Sequence, residues 1–258
     1  MTIHISDLLQ ELTDPAGDDI LVAVDVSESL PADQTKRALL KRLGLGNGGW
    51  TEIPDGSWTY ASSTTITVPS GAASIYAVGD QVRLKQGGAY KYFYIITVAD
   101  TLLTVTGGSD YTVANAAITD AAFSKGGGVG HPGWFNYLAT VSGSEGSAGT
   151  YAESIPFQKF HITGRSLSVV VSKAITNKGS WSGSFYVLLP RTPATQSNNT
   201  FVMSAGVLPQ ATYSVKGIGD LRSFSQNMLF EKSPGTAVLT WADIAVNDFI
   251  SINMTYPI

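Results

Sequence analysis

The sequence predicts a mainly β protein: a short α/β segment at the N-terminus, a small β-barrel-like domain, and a C-terminal antiparallel β-sandwich of jelly-roll-like type. Three observations carry that prediction. Only 14% of the 258 residues are charged, yet 43% are hydrophobic, so the low charge does not signal disorder. Twenty-seven glycines, set among serines and threonines, separate short apolar runs at turn-like spacing. Several of those runs alternate between apolar and small polar residues, the period of a half-buried strand.

The N-terminal segment, residues 1–46, differs from the rest in charge. It holds eight acids and four bases, which is the whole net charge of −4, while residues 47–258 hold twelve of each. A brief helix is expected after Ser6, with Leu8, Leu9 and Leu12 as its apolar face. Asp14 to Asp19 reads as a turn, and Ile20 to Val26 as a strand. A second helix is expected from Asp33, its N-cap, to Gly44, with Ala38, Leu39, Leu40 and Leu43 as the buried stripe. So short a segment buries little apolar surface by itself, which makes it an adaptor that docks on a partner.

Leu45 to Gly49 is a linker by composition. A small barrel or curled sheet is expected over residues 50–124, with strands at Trp58–Val68, Gln81–Lys85, Tyr90–Val98, Leu102–Thr106 and Ala116–Thr119. Lys125 to Gly133 reads as a second linker. The sandwich then occupies residues 134–258. Leu167, Val169 and Val171 alternate with serines; Trp181, Gly183, Phe185, Val187 and Leu189 point inward; Ile250, Ile252, Met254 and Tyr256 alternate with Ser251, Asn253 and Thr255.

Several chemistries are excluded or disfavoured. Without cysteine there is no disulfide, thiolate metal site or thiol nucleophile. The acidic start lacks the basic n-region of a signal peptide, and no apolar run approaches the ~20 residues of a membrane span. Gly44 to Gly49 and Gly128 to Gly133 both match G-x-G-x-x-G, but neither follows a strand and opens a helix. His4, His131 and His161 stand in three different segments, and coincidence with the common serines and aspartates explains any apparent triad better than catalysis does. Glu52 with Asp55, and Asp243 with Asp248, are the nearest carboxylate pairs, in settings where acids cap turns. Tyr90, Tyr92 and Tyr94 share a strand face near Arg83 and Lys85; in a neutral domain they read as barrel core or subunit contact before a nucleic-acid platform. No cofactor, metal or catalytic residue is expected.

Three stretches carry a resemblance. Ile5-Ser-Asp-Leu-Leu, Asp18-Asp19-Ile-Leu-Val-Ala-Val-Asp and Thr35-Lys-Arg-Ala-Leu-Leu resemble the virion-anchoring unit of bacteriophage fibre and appendage proteins. Gly56-Ser-Trp-Thr-Tyr, Tyr76-Ala-Val-Gly-Asp-Gln-Val-Arg, Thr106-Gly-Gly-Ser-Asp-Tyr and Pro132-Gly-Trp-Phe resemble a small β domain of phage structural proteins. Gly179-Ser-Trp-Ser-Gly-Ser-Phe and Asn247-Asp-Phe-Ile-Ser-Ile-Asn look like the β-sandwich that ends many of them.

The resemblance implies a non-enzymatic, homotrimeric protein of the virion surface, made in the cytoplasm of a host bacterium, with no catalytic residues to carry over. On that reading Ile5, Leu8, Leu9, Leu12, Leu21, Val24, Leu39, Leu40 and Leu43 form the anchor, engaging phage capsid, portal or tail proteins. Three weak anchors acting together gain avidity. Trp50, Trp134, Tyr151 and Trp181 are candidate ligand or inter-subunit contacts. Host-surface glycan or protein is the expected outward partner, with no nucleic acid and no membrane insertion. The alternative is a capsid decoration or cement protein that stabilises the head and binds no host ligand.

Overall fold

A computed structural model describes residues 20–24, 35–39, 48–145, 151–178, 180–192, 201–208, 217–221, 227–232 and 237–258. The chain divides into two compact units, residues 1–106 with 113–131, and residues 107–112 with 132–258. Both are mainly β, and every paired strand in them is antiparallel.

In the N-terminal segment, β1 (Ile20–Val24) pairs with β2 (Thr35–Leu39), in register from Ile20 opposite Leu39 to Val24 opposite Thr35. The helix expected over residues 33–44 is therefore overturned at its centre. An isolated helix of that length is marginal, whereas the strand of Ile20–Val24 offers a row of backbone donors and acceptors that a second strand satisfies. Leu21, Val24 and Leu39 lie on this ribbon; Ile5, Leu8, Leu9, Leu12, Leu40 and Leu43 lie outside the described residues.

The first unit's large sheet comprises β3 (Thr51–Glu52), β4 (Thr59–Ser62), β5 (Thr65–Thr67), β6 (Gln81–Gln86), β7 (Ala89–Ala99), β8 (Leu102–Thr106) and β9 (Thr119–Ser124), with a short helix α1 at Ala72–Ile75. Its order is β3-β9-β6-β7-β8-β5-β4. The two edge strands are joined by residues 53–58, a path of about 25 Å at full extension. A flat sheet of seven strands would separate its edges by about 29 Å, so this one must curl. It does so without closing: β3 and β4 do not pair. Trp58, Tyr76 and Phe123 meet edge to face at centroid distances of 5.8 and 5.0 Å, packing rings between the start of β4 and β9.

One face is built by Ile66, Val82, Leu84, Phe93, Ile95, Leu103 and Val105, all buried. Gln86 is buried among them with its amide fully used: it donates to the carbonyls of Ala114 and Ala116 and accepts from the Ala114 N–H. Residues 125–131, expected as a linker, pack against the unit instead. Lys125 pairs with Asp80 at 2.9 Å and donates to the Ile75 carbonyl, and the Gly128 N–H donates to the side chain of Gln81. Gly128 lies against the Trp50 indole so closely that a Cβ there would stand 2.5 Å from the ring.

The second unit is a nine-stranded sheet: β10 (Phe135–Asn136), β11 (Val141–Glu145), β12 (Tyr151–Thr163), β13 (Ser166–Lys178), β14 (Ser182–Leu188), β15 (Phe201–Leu208), β16 (Gly217–Leu221), β17 (Asn227–Lys232) and β18 (Phe249–Pro257). Its order is β10-β12-β13-β18-β15-β16-β17-β14-β11. Consecutive β10 and β11 thus stand at opposite edges, although only residues 137–140 join them. Those residues reach about 18 Å at most, while a flat sheet would need about 38 Å. The sheet therefore folds over on itself, which gives the sandwich-like character that the alternating pattern predicts.

Leu167, Val169 and Val171 of β13 and Ile250, Ile252, Met254 and Tyr256 of β18 are buried, in register as Val169 opposite Met254 and Val171 opposite Ile252. Phe185 of β14 meets Phe230 of β17 at 5.3 Å, also buried. The crossover itself is clamped by two buried polar side chains. Gln158 accepts the Ala139 N–H, and the Lys173 ammonium, with no exposed surface, donates to the Ala139 carbonyl. A buried lysine is costly unless its donors are used, and here it holds the turn that folds the sheet.

Candidate surface-contact site

An open cleft of about 300 Å³ in the first unit is lined by Glu52, Pro54, Asp55, Arg83, Tyr90 and Asp120. Strand geometry places them. Arg83 and Lys85 are two apart on β6 and share a face, Tyr90 opposes Lys85 across the β6–β7 hairpin, and β9 brings Asp120 alongside. The Arg83 guanidinium lies 5.1 Å from the Trp50 ring and 5.2 Å from the Tyr90 ring. Two aromatic rings thus flank it. It forms no ion pair among the described residues, and its buried Nε has no hydrogen-bond partner.

Asp120 is a left-handed residue, φ 47°, without being glycine. Such backbone persists only where neighbours over-determine it. Here its N–H donates to the Asp55 carboxylate at 3.0 Å, while its own carboxylate accepts from Lys85 at 3.3 Å and the Tyr90 hydroxyl at 3.4 Å. Lys85 also lies 5.5 Å from the Tyr90 ring centre. Tyr90 nonetheless remains 43% exposed.

The expected tyrosine row is a gradient from solvent to core: Tyr90 exposed, Tyr92 half-buried, Tyr94 fully buried beneath His131 at 4.8 Å. Trp50, expected between domains or subunits, is 1% exposed within its own unit, and its indole N–H donates to the Val129 carbonyl at 2.8 Å. Glu52 and Asp55, read from the sequence as turn-capping acids, line one cleft, where Asp55 accepts the Asp120 N–H. Asp243 and Asp248 cap their own turns: Asp243 accepts from the Thr240 N–H and hydroxyl, and Asp248 from the Ala245 N–H. Sequence reasoning did not reach Asp120 as a site residue, because no local signal marks its left-handed backbone.

The second unit carries an apolar cleft of about 350 Å³, lined by Ser109, Asn136, Tyr137, Leu138, Phe157, Gln158 and Lys159, with Leu138 and Phe157 exposed. Trp134, 40% exposed, rests tilted on the His161 ring at 5.4 Å. Trp181 is half-buried immediately before β14, and Tyr151 lies on β12 opposite Lys178. Residues 107–112 belong to this unit because the Asp110 carboxylate accepts both the backbone N–H and the side-chain amide of Asn136, each at 2.7 Å.

Burial holds His161 below the usual imidazole range. A depressed folded-state pKa means that the native state resists protonation, so its contribution is full above pH ~6.5 and is lost as pH falls through the depressed value. The melting temperature of the wild type is expected to fall between pH 7.5 and pH 5. In His161→Gln that part of the fall should disappear; an unchanged pH dependence would show that His161 plays no part in it.

Among the described residues no cluster of His, Cys, Asp and Glu is arranged to hold a metal ion, and no helix is long and apolar enough to cross a membrane. No protein-family model, curated protein or solved structure matches the chain. What the cleft can do therefore rests on its own chemistry. It offers acceptors, a fixed guanidinium and an exposed ring, the complement of a small binding surface.

Proposed function

We propose that the protein is a non-enzymatic structural protein of a phage virion, a short homotrimeric fibre or spike. Its N-terminal segment anchors it to the particle, and its β units face outward to touch the host surface. The observation that carries the outward-facing part is the Tyr90 cleft. Its polar groups are held in place by bonds within the unit, while the ring and the Arg83 guanidinium are left for an external partner. The anchoring part rests on the resemblance of residues 5–40 and on the concentration of net charge there.

Light scattering on the purified chain and electron microscopy of particles carrying a label at the N-terminus test the reading. A trimer in solution and label at the base of a surface projection are expected. A monomer that does not associate with particles would overturn it. Particles that lack the protein, adsorb normally and break more easily would favour the decoration protein instead.

A further inference from the structure

We infer that the Tyr90 cleft is a binding site for a neutral, hydroxyl-rich ligand, a saccharide without carboxylate or phosphate groups. The identification deepens the surface-contact reading above and rests on it for its biological setting, though the chemistry stands on the cleft alone. Three carboxylates, Glu52, Asp55 and Asp120, face two cations, Arg83 and Lys85. That excess of negative charge disfavours a polyanion. A metal ion is disfavoured too, since the carboxylates do not converge as ligands and the guanidinium stands among them.

A sugar fits what remains. Its hydroxyls donate to carboxylate oxygens, which make the stronger, charge-assisted bonds. Arg83 is the donor for its oxygens, already oriented by Trp50 and Tyr90, so little side-chain entropy is lost on binding. The exposed part of Tyr90 supplies apolar surface for the C–H groups of a sugar ring. The strained Asp120 backbone, tied down by Asp55, sets the acceptor rim before any ligand arrives. The volume, about 300 Å³, stands at the small end of ligand clefts and suits a short stretch of saccharide.

The test is an array carrying neutral oligosaccharides of hexose, deoxyhexose and N-acetylhexosamine beside uronate- and phosphate-bearing ones, probed with the full chain. Binding confined to neutral members is expected, weakened about tenfold or more in Tyr90→Ala and in Asp55→Asn. Val246→Ala, which alters an exposed residue of the other unit away from both clefts, should bind as the wild type does. Melting curves verify that the variants are folded. A blank array, preference for the acidic members, or full binding by folded Tyr90→Ala would each overturn the inference.

Presence on particles separates the two readings. A blank array from a protein that stands on virions overturns the saccharide site and leaves the virion assignment standing. Neutral-saccharide binding by a protein that never appears on particles supports the site and removes that assignment.

Discussion

Replacement of Trp50 by alanine is expected to destabilise the first unit by about 3–5 kcal/mol, the cost typical of emptying a buried tryptophan site. The indole is 1% exposed and occupies one face of the sheet with Tyr92 and His131, at 6.4 and 6.2 Å. Its N–H fixes the Val129 carbonyl, so removal also loosens the segment of residues 125–131, which then keeps only its bonds to Asp80, Gln81 and other parts of the unit. Gly128 packs against the ring and would be left over a void. Denaturant unfolding measures the loss, and amide exchange across β6 and β7 locates it. Trp50→Phe separates the two contributions: it keeps most of the packing and loses the hydrogen bond, at about 1 kcal/mol. If Trp50→Ala moved the unfolding midpoint no more than Trp50→Phe, the assignment of Trp50 as a core residue would fail.

The second large effect is expected at Gly108. Its φ of +62° suits glycine, and a Cβ there would lie 2.0 Å from the Asn136 carbonyl oxygen. That neighbour is backbone and cannot rotate away. Gly108→Ala therefore forces the segment of residues 107–112 off β10. The Ser109 N–H to Asn136 carbonyl bond at 2.7 Å and the paired Asp110–Asn136 bonds go with it. The backbone penalty and three lost bonds give roughly 3–4 kcal/mol. Asp110→Ala, which keeps the glycine and removes only the side-chain bonds, should cost about 2 kcal/mol. Unfolding of both variants by denaturant measures this, and equal stability of Gly108→Ala and the wild type would refute the contact.

The strands were legible where alternation was clean. In β18, Ile250, Ile252, Met254 and Tyr256 are buried and Ser251, Asn253 and Thr255 exposed, as a two-residue period requires. The β6–β7 hairpin was equally plain, its Gln86-Gly87-Gly88 turn flanked by apolar alternation. Where a segment's partner was remote, the reading failed or stopped short. Thr35–Leu39 has a helical pattern and is a strand, because Ile20–Val24 offers it a register. The strand expected near Ala116–Thr119 begins at Thr119, where β6 is available to pair. Gly126 to His131 looks like a linker and is a cover, because its contacts are with side chains far back in the sequence.

The candidate site divides in the same way. Tyr90 and the Arg83–Lys85 pair were visible as neighbours on a hairpin, and the Glu52–Asp55 pair as a spacing. That Trp50 lies over Arg83, and that Asp120 completes the rim, depends on β9 pairing with both β3 and β6 across long stretches of chain.

By itself, then, the sequence determined the mainly β class, the absence of thiol chemistry and the separation of an acidic N-terminal segment from a neutral body. These follow from composition and from periods of two, which act within a few residues. Only the tertiary structure decided that both large sheets fold over without closing, that Trp50 is core, and that Arg83 stands between two rings beside Asp120. Such features depend on pairings between distant segments, whose register no local pattern encodes.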